Sequence, residues 1–113
     1  MEEIIQLARQ AREASWEAAK LTTEQKNQVL LKAAERLLDQ QARIAAENAK
    51  DLEAAEAKGL SAAMVDRLRL NRARIEEMAR GLQEVVQLPD PVGQVTKEWT
   101  RPNGLKVQKV RIP

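Results

Sequence analysis

Residues 93–113 read GQVTKEWTRPNGLKVQKVRIP, and here the apolar spacing changes from the helical period of the preceding chain to strand-like runs rich in Val, Thr, Ile and Trp. Two such runs, Gly93 to Arg101 and Leu105 to Ile112, flank Pro102-Asn103-Gly104, which is a hairpin signal. Two turns fit: a two-residue type I′ turn at Asn103-Gly104, or a type I turn at Pro102-Asn103 with Gly104 in the left-handed bulge position. In the second run Leu105 and Val107 share one face while Val110 and Ile112 share the other, so a bulge or a change of burial partner is expected between them. A lone two-stranded hairpin is marginal in water and needs a sheet or helix to cover it. The last four residues, Val110-Arg111-Ile112-Pro113, have no polar, frayed character, so a continuation into further sheet is expected.

Everything before the hairpin reads as helix. Residues 2 to about 20 are rich in Ala, Glu, Gln and Arg, with Ile4, Ala8, Ala11, Ser15 and Ala18 on a thin apolar face. Thr22 followed by Gln25 forms a capping box that starts a second helix. Its stripe is Val29, Ala33 and Leu37 beside Leu30, Ala34 and Leu38, and Ile44, Ala45, Asn48, Leu52 and Ala55 continue the period. One long helix, or two broken near Asp39-Gln40-Gln41, fits equally. Gly59 ends this stretch, and Ser61 caps a short helix with Met64, Val65 and Leu68 inward. Asn71 caps another with a stripe of Ile75, Met78, Ala79, Leu82 and Val85 or Val86, stopped by Pro89 and Pro91. The expected fold is therefore mainly α, four or so helices in residues 1–88, with a C-terminal β-hairpin in residues 92–113.

Composition limits the chemistry. The 113 residues contain no Cys and no His, which removes thiolate nucleophiles, Ser-His pairs, imidazole bases and the usual zinc ligands. The four scattered Gly make no dinucleotide fingerprint. No secretory signal or membrane span is present, so a cytoplasmic location is expected. The net charge of +2 divides into about −2 for residues 1–58 and +4 for residues 59–113. Interspersed charge and only two aromatics, Trp16 and Trp99, argue against a nucleic-acid binder.

Two motifs then carry a resemblance: Gly59-Leu60-Ser61-Ala62-Ala63-Met64-Val65-Asp66-Arg67-Leu68 and Leu88-Pro89-Asp90-Pro91-Val92-Gly93-Gln94-Val95. With Lys26-Asn27-Gln28-Val29-Leu30, Asn48-Ala49-Lys50-Asp51 and the final Lys109-Val110-Arg111-Ile112-Pro113, the whole chain resembles the start of the gamma-glutamyl phosphate reductase (glutamate-5-semialdehyde dehydrogenase) family. The resemblance implies an aldehyde dehydrogenase-like α/β fold. It also implies NADPH-dependent reduction of glutamyl 5-phosphate to glutamate 5-semialdehyde, a step of proline biosynthesis. By the same resemblance, residues 1–88 are the helical N-terminal part of the cofactor-binding domain. Residues 92–113 are the hairpin of the oligomerisation arm, leading into a sheet beyond this chain. The family's catalytic Cys, oxyanion Asn and NADPH segments lie past that point, so no catalytic, cofactor-binding or metal residue is assigned here. The chain alone is expected to be inactive, to bind no NADPH and to expose apolar surface. Its expected partners are the remainder of the same polypeptide and a second subunit through the arm. The rival reading is a stand-alone helical protein-interaction module, which the apolar hairpin disfavours.

Individual residues read conservatively. Arg67 beside Asp66 is a helix-surface or ion-pair residue rather than a phosphate contact. Glu76-Glu77 and Glu53/Glu56 sit on solvated faces rather than in an acid–base cleft. Lys97, Arg101, Lys106, Lys109 and Arg111 read as edge-strand protection against aggregation rather than as a site for an acidic partner. Trp99 reads equally as a subunit anchor or as packing within the arm.

Overall fold

A computed structural model describes residues 1–113, with five helices and one antiparallel hairpin. The elements are α1 (Glu2–Ala18), α2 (Thr23–Asp39), α3 (Gln41–Ala57), α4 (Ala62–Leu68), α5 (Arg72–Val86), β1 (Val95–Thr100) and β2 (Lys106–Val110). The open question of one helix or two resolves at Gln40, whose φ of −98° and ψ of 14° lie outside the helical range.

The starts and stops follow local chemistry. At α2 the Gln25 amide donates to Thr22 Oγ1 at 3.1 Å, and the Thr22 amide donates back to Gln25 Oε1 at 2.9 Å, a complete capping box. Ser61 accepts from the Met64 amide and Asn71 from the Arg74 amide, each relieving an orphan donor of its helix. Gly59 takes φ +72°, and the Leu60 and Gly59 amides reach back to the carbonyls of Ala55 and Glu56, which is a Schellman ending.

Two glycines therefore respond oppositely to alanine. Nothing lies within 4 Å of a Cβ built at Gly59 or Gly81. Gly59→Ala is expected to cost about 1 kcal/mol through left-handed strain alone. Gly81→Ala, inside α5, is expected to gain roughly 0.5–1 kcal/mol by removing helix-interior glycine. Urea midpoints of the two variants, moving in opposite directions, check both.

The residues group into two compact units, Met1–Lys26 with Pro89–Pro113, and Asn27–Leu88. In the second, α3 packs on α4 and α5. Its core is Ala34, Ala55, Val65, Ile75 and Ala79, with Asn48 buried among the helices. The predicted stripes give the correct face but overstate its depth: Val29, Leu38, Met64, Leu68, Met78 and Val85 are exposed. The first unit has no buried residue, and in it only Lys26, Asp90 and Val107 are even half-buried. The Ala-rich face of α1 is open along its whole length.

In the hairpin, Gly104 at φ +86° follows a turn in which its amide donates to Arg101 O, and no non-glycine residue has positive φ. This selects the type I turn with a glycine bulge, because type I′ would need positive φ at Asn103. The irregularity expected in the second run falls instead on β1: Val95 pairs with Val110 and Lys97 with Lys109, leaving Thr96 as the extra residue, while β2 runs without a bulge. The Thr96 hydroxyl donates to Lys109 O at 3.2 Å. No helix is long and apolar enough to cross a membrane.

Candidate functional site

No group of three or more carboxylates that could hold a metal is present, and with no Cys or His the chain carries no nucleophile–base pair of the usual kinds. Its chemistry-bearing surface is the hairpin and the residues at its root.

The root is built around Asp90. One carboxylate oxygen accepts from the Thr23 hydroxyl at 2.8 Å and faces Lys26 Nζ at 2.5 Å, and the other accepts from the Val92 amide at 3.0 Å. Thr23 and Lys26 project from the first turn of α2, where a negative charge is favoured by the aligned peptide dipoles. The hydrogen bond from Lys26, then those from the Val92 amide and the Thr23 hydroxyl, hold the Asp90 carboxyl down at about 2 against its ordinary 3.8. A depressed carboxyl contributes stability that is fully present above the ordinary value and is lost as pH falls through the folded one. Acid titration should therefore weaken this unit progressively between about pH 4 and pH 2. The check is an NMR titration of the root amides in Asp90→Asn, which should lack that acid-dependent component.

Above the root, the hairpin presents Trp99 opposite half-buried Val107, and Lys97 opposite Lys109. Like charges directly across strands repel, and no carboxylate lies within salt-bridge distance of any of the five hairpin cations. Lys97 Nζ sits 5.3 Å from the Trp99 ring centre, a cation–π contact that offsets part of this cost. Glu98, on the other face, accepts from Gln108 at 3.1 Å. Val95, Leu105, Val110 and Ile112 are exposed, and both outer strand edges are unpaired. Such a hairpin offers backbone donors and acceptors together with apolar side chains to whatever covers it.

The remaining predicted residues lie apart from this surface. Arg67 makes no ion pair. Asp66 instead meets Arg74, whose guanidinium grips its carboxylate at 3.1 Å and also donates to the Asp66 and Arg69 carbonyls at the end of α4. Glu76 pairs with Arg72 one turn away, a solvent-exposed contact of little energetic weight. Glu53, Glu56 and Glu77 are exposed and unpaired.

Asp90 carries the root, although the sequence alone marks it only as a member of a motif. Its local signal is an Asp two residues before the amide it caps, the Asx-turn pattern. Asn48, which the helical period sets on an apolar stripe, is a clamp: Nδ2 donates to Leu68 O at 2.9 Å and Oδ1 accepts from the Leu70 amide at 2.8 Å.

No family model matches the chain. Gamma-glutamyl phosphate reductase of Geotalea daltonii is 54% identical over 112 residues, covering 99% of this chain and 27% of the relative. That of Geobacillus sp. (strain WCH70) is 44% identical over 113 residues, covering 100% and 27%. The crystal structure of gamma-glutamyl phosphate reductase from Thermotoga maritima superposes with a TM-score of 0.95 at 39% identity, over 98% of this chain and 27% of that one. The chain thus spans about a quarter of the length of the curated relatives it matches.

Proposed function

We propose, from the premise that the chain is homologous along its whole length to a segment of the gamma-glutamyl phosphate reductases, that it is the N-terminal scaffold of such an enzyme. In this reading the complete polypeptide reduces L-glutamyl 5-phosphate with NADPH to L-glutamate 5-semialdehyde and phosphate, in the cytoplasm, as a step of proline biosynthesis. The observation that carries it is the pairing of 44–54% identity across nearly every residue with a span of only 27% of each relative.

The residues present do not themselves fit the cofactor. A dinucleotide cradle needs glycines between a strand and the helix that receives the pyrophosphate. Gly59 lies between two helices, Gly81 within α5, Gly93 ahead of β1 and Gly104 in the hairpin turn. The segment's own work is structural. The first unit, with no buried residue, supports a role in which α1 and the hairpin are covered by the rest of the polypeptide and by a second subunit. Residues 1–88 then belong with the cofactor-binding domain, and residues 92–113 form the oligomerisation arm.

The test is the reverse reaction. The native polypeptide should exceed 12.7 kDa and reduce NADP with glutamate 5-semialdehyde only when phosphate is supplied, while residues 1–113 alone show neither turnover nor saturable NADPH binding by calorimetry. A native polypeptide of 12.7 kDa without that activity would overturn the assignment.

A further inference from the structure

We infer that Asp90 is a latch: its carboxylate fixes the root of the hairpin to the first turn of α2, making it the positioning residue on which the setting of the arm depends. The inference rests on the proposed role of the hairpin as an arm and specifies what holds it.

Three observations converge. First, the unit containing the hairpin has no fully buried apolar side chain, so hydrophobic burial, the force that ordinarily fixes one element on another, is weak there. Two of its three half-buried residues are Lys26 and Asp90 themselves. Second, a single carboxylate joins three groups, the Thr23 hydroxyl, the Lys26 ammonium and the Val92 amide, and the first two lie 67 and 64 positions away along the chain. The side chains of Asp90 and Lys26 retain only 17% and 32% of their exposure, so these charge-assisted bonds are partly shielded from water. Third, the latch adjoins the ladder. The Gly93 amide donates to Arg111 O and the Arg111 amide to Gln94 O, so the hairpin hydrogen bonds begin one residue beyond the captured Val92 amide. Pro89 and Pro91 flank Asp90 with fixed φ and no amide donors, so the carboxylate is held on a stiff connector.

The experiment is amide hydrogen exchange on the complete native polypeptide, comparing wild type with Asp90→Asn, Lys26→Met and the double variant. The expected result is exchange about tenfold faster at Gly93 and Arg111, with a smaller rise at Val92, whose amide an asparagine oxygen still accepts, and with the amides of α3 and α5 unchanged. Lys26→Met should add little to Asp90→Asn, because both remove one linkage. Unchanged exchange at the root, a uniform rise through α3 and α5, or fully additive effects would each overturn the latch. Sedimentation equilibrium of the same variants separates the two readings. A loosened root with weakened subunit association supports both. A loosened root with unaltered association leaves the latch standing and removes the arm's pairing role.

Discussion

Ile75→Ala is expected to lower unfolding stability by about 3–4 kcal/mol, the middle of the range for large-to-small changes in a core. Ile75 is 1% exposed, and it is the largest fully buried side chain in the protein. The rest of the core is Ala34, Ala55, Val65 and Ala79, so removing three carbons from Ile75 deletes a large share of its apolar volume. Three of the other four core residues are alanines, which have no side-chain freedom with which to collapse into the gap. Ile75→Val should cost only about 1 kcal/mol. Met78→Ala, three residues further along α5 but 45% exposed, should cost less than Ile75→Ala by several-fold. Guanidinium denaturation of the three variants checks the order. Equal losses at Ile75 and Met78 would show that the apolar stripe of α5, rather than this one side chain, holds the second unit.

That contrast marks where sequence reasoning stops. Caps and turns were legible because their hydrogen bonds close within a few residues: Thr22 with Gln25, Ser61 with Met64, Asn71 with Arg74 and Gly59 at its left-handed turn. The apolar period identified the inward faces of α2 and α5, yet it could not say that Ala34 lies at 0% exposure while Val29 lies at 61%. Period reports direction, whereas depth depends on which element arrives opposite, and no local rule supplies that. The break at Gln40 was ambiguous for a related reason, since Asp39-Gln40-Gln41 contains neither Gly nor Pro and each residue is compatible with helix. The hairpin turn had two legal conformations, and only the sign of φ at Asn103 separates them. Asp90 was least legible of all. Its Asx turn is local, but Thr23 and Lys26 reach it from a helix start near the other end of the chain. Neither period nor propensity contains the similarity to gamma-glutamyl phosphate reductases, proteins nearly four times as long as this chain, which rests on the identity of particular motif residues.

Asn48→Ala should be comparably damaging, at about 3 kcal/mol, through a different mechanism. Asn48 is 5% exposed, and its side chain both donates to Leu68 O and accepts from the Leu70 amide, fixing the connection between α4 and α5. Alanine leaves a carbonyl and an amide without partners where water has little access, and each such orphan costs roughly 1–3 kcal/mol. Asn48→Asp separates this explanation from simple loss of bulk. The ionised carboxylate is nearly isosteric and still accepts from the Leu70 amide, but it turns a lone pair toward Leu68 O and buries a charge. Burial and the opposed Leu68 carbonyl would raise the folded carboxyl's pKa above its unfolded value. The protonated form can donate to Leu68 O, so the variant should regain stability as pH falls from 7 through that raised value. Denaturation midpoints of Asn48→Asp and Asn48→Ala between pH 7 and pH 5 are the measurement. Recovery confined to Asn48→Asp supports the two-bond clamp, and parallel behaviour of the two variants would mean that Asn48 acts only by filling space.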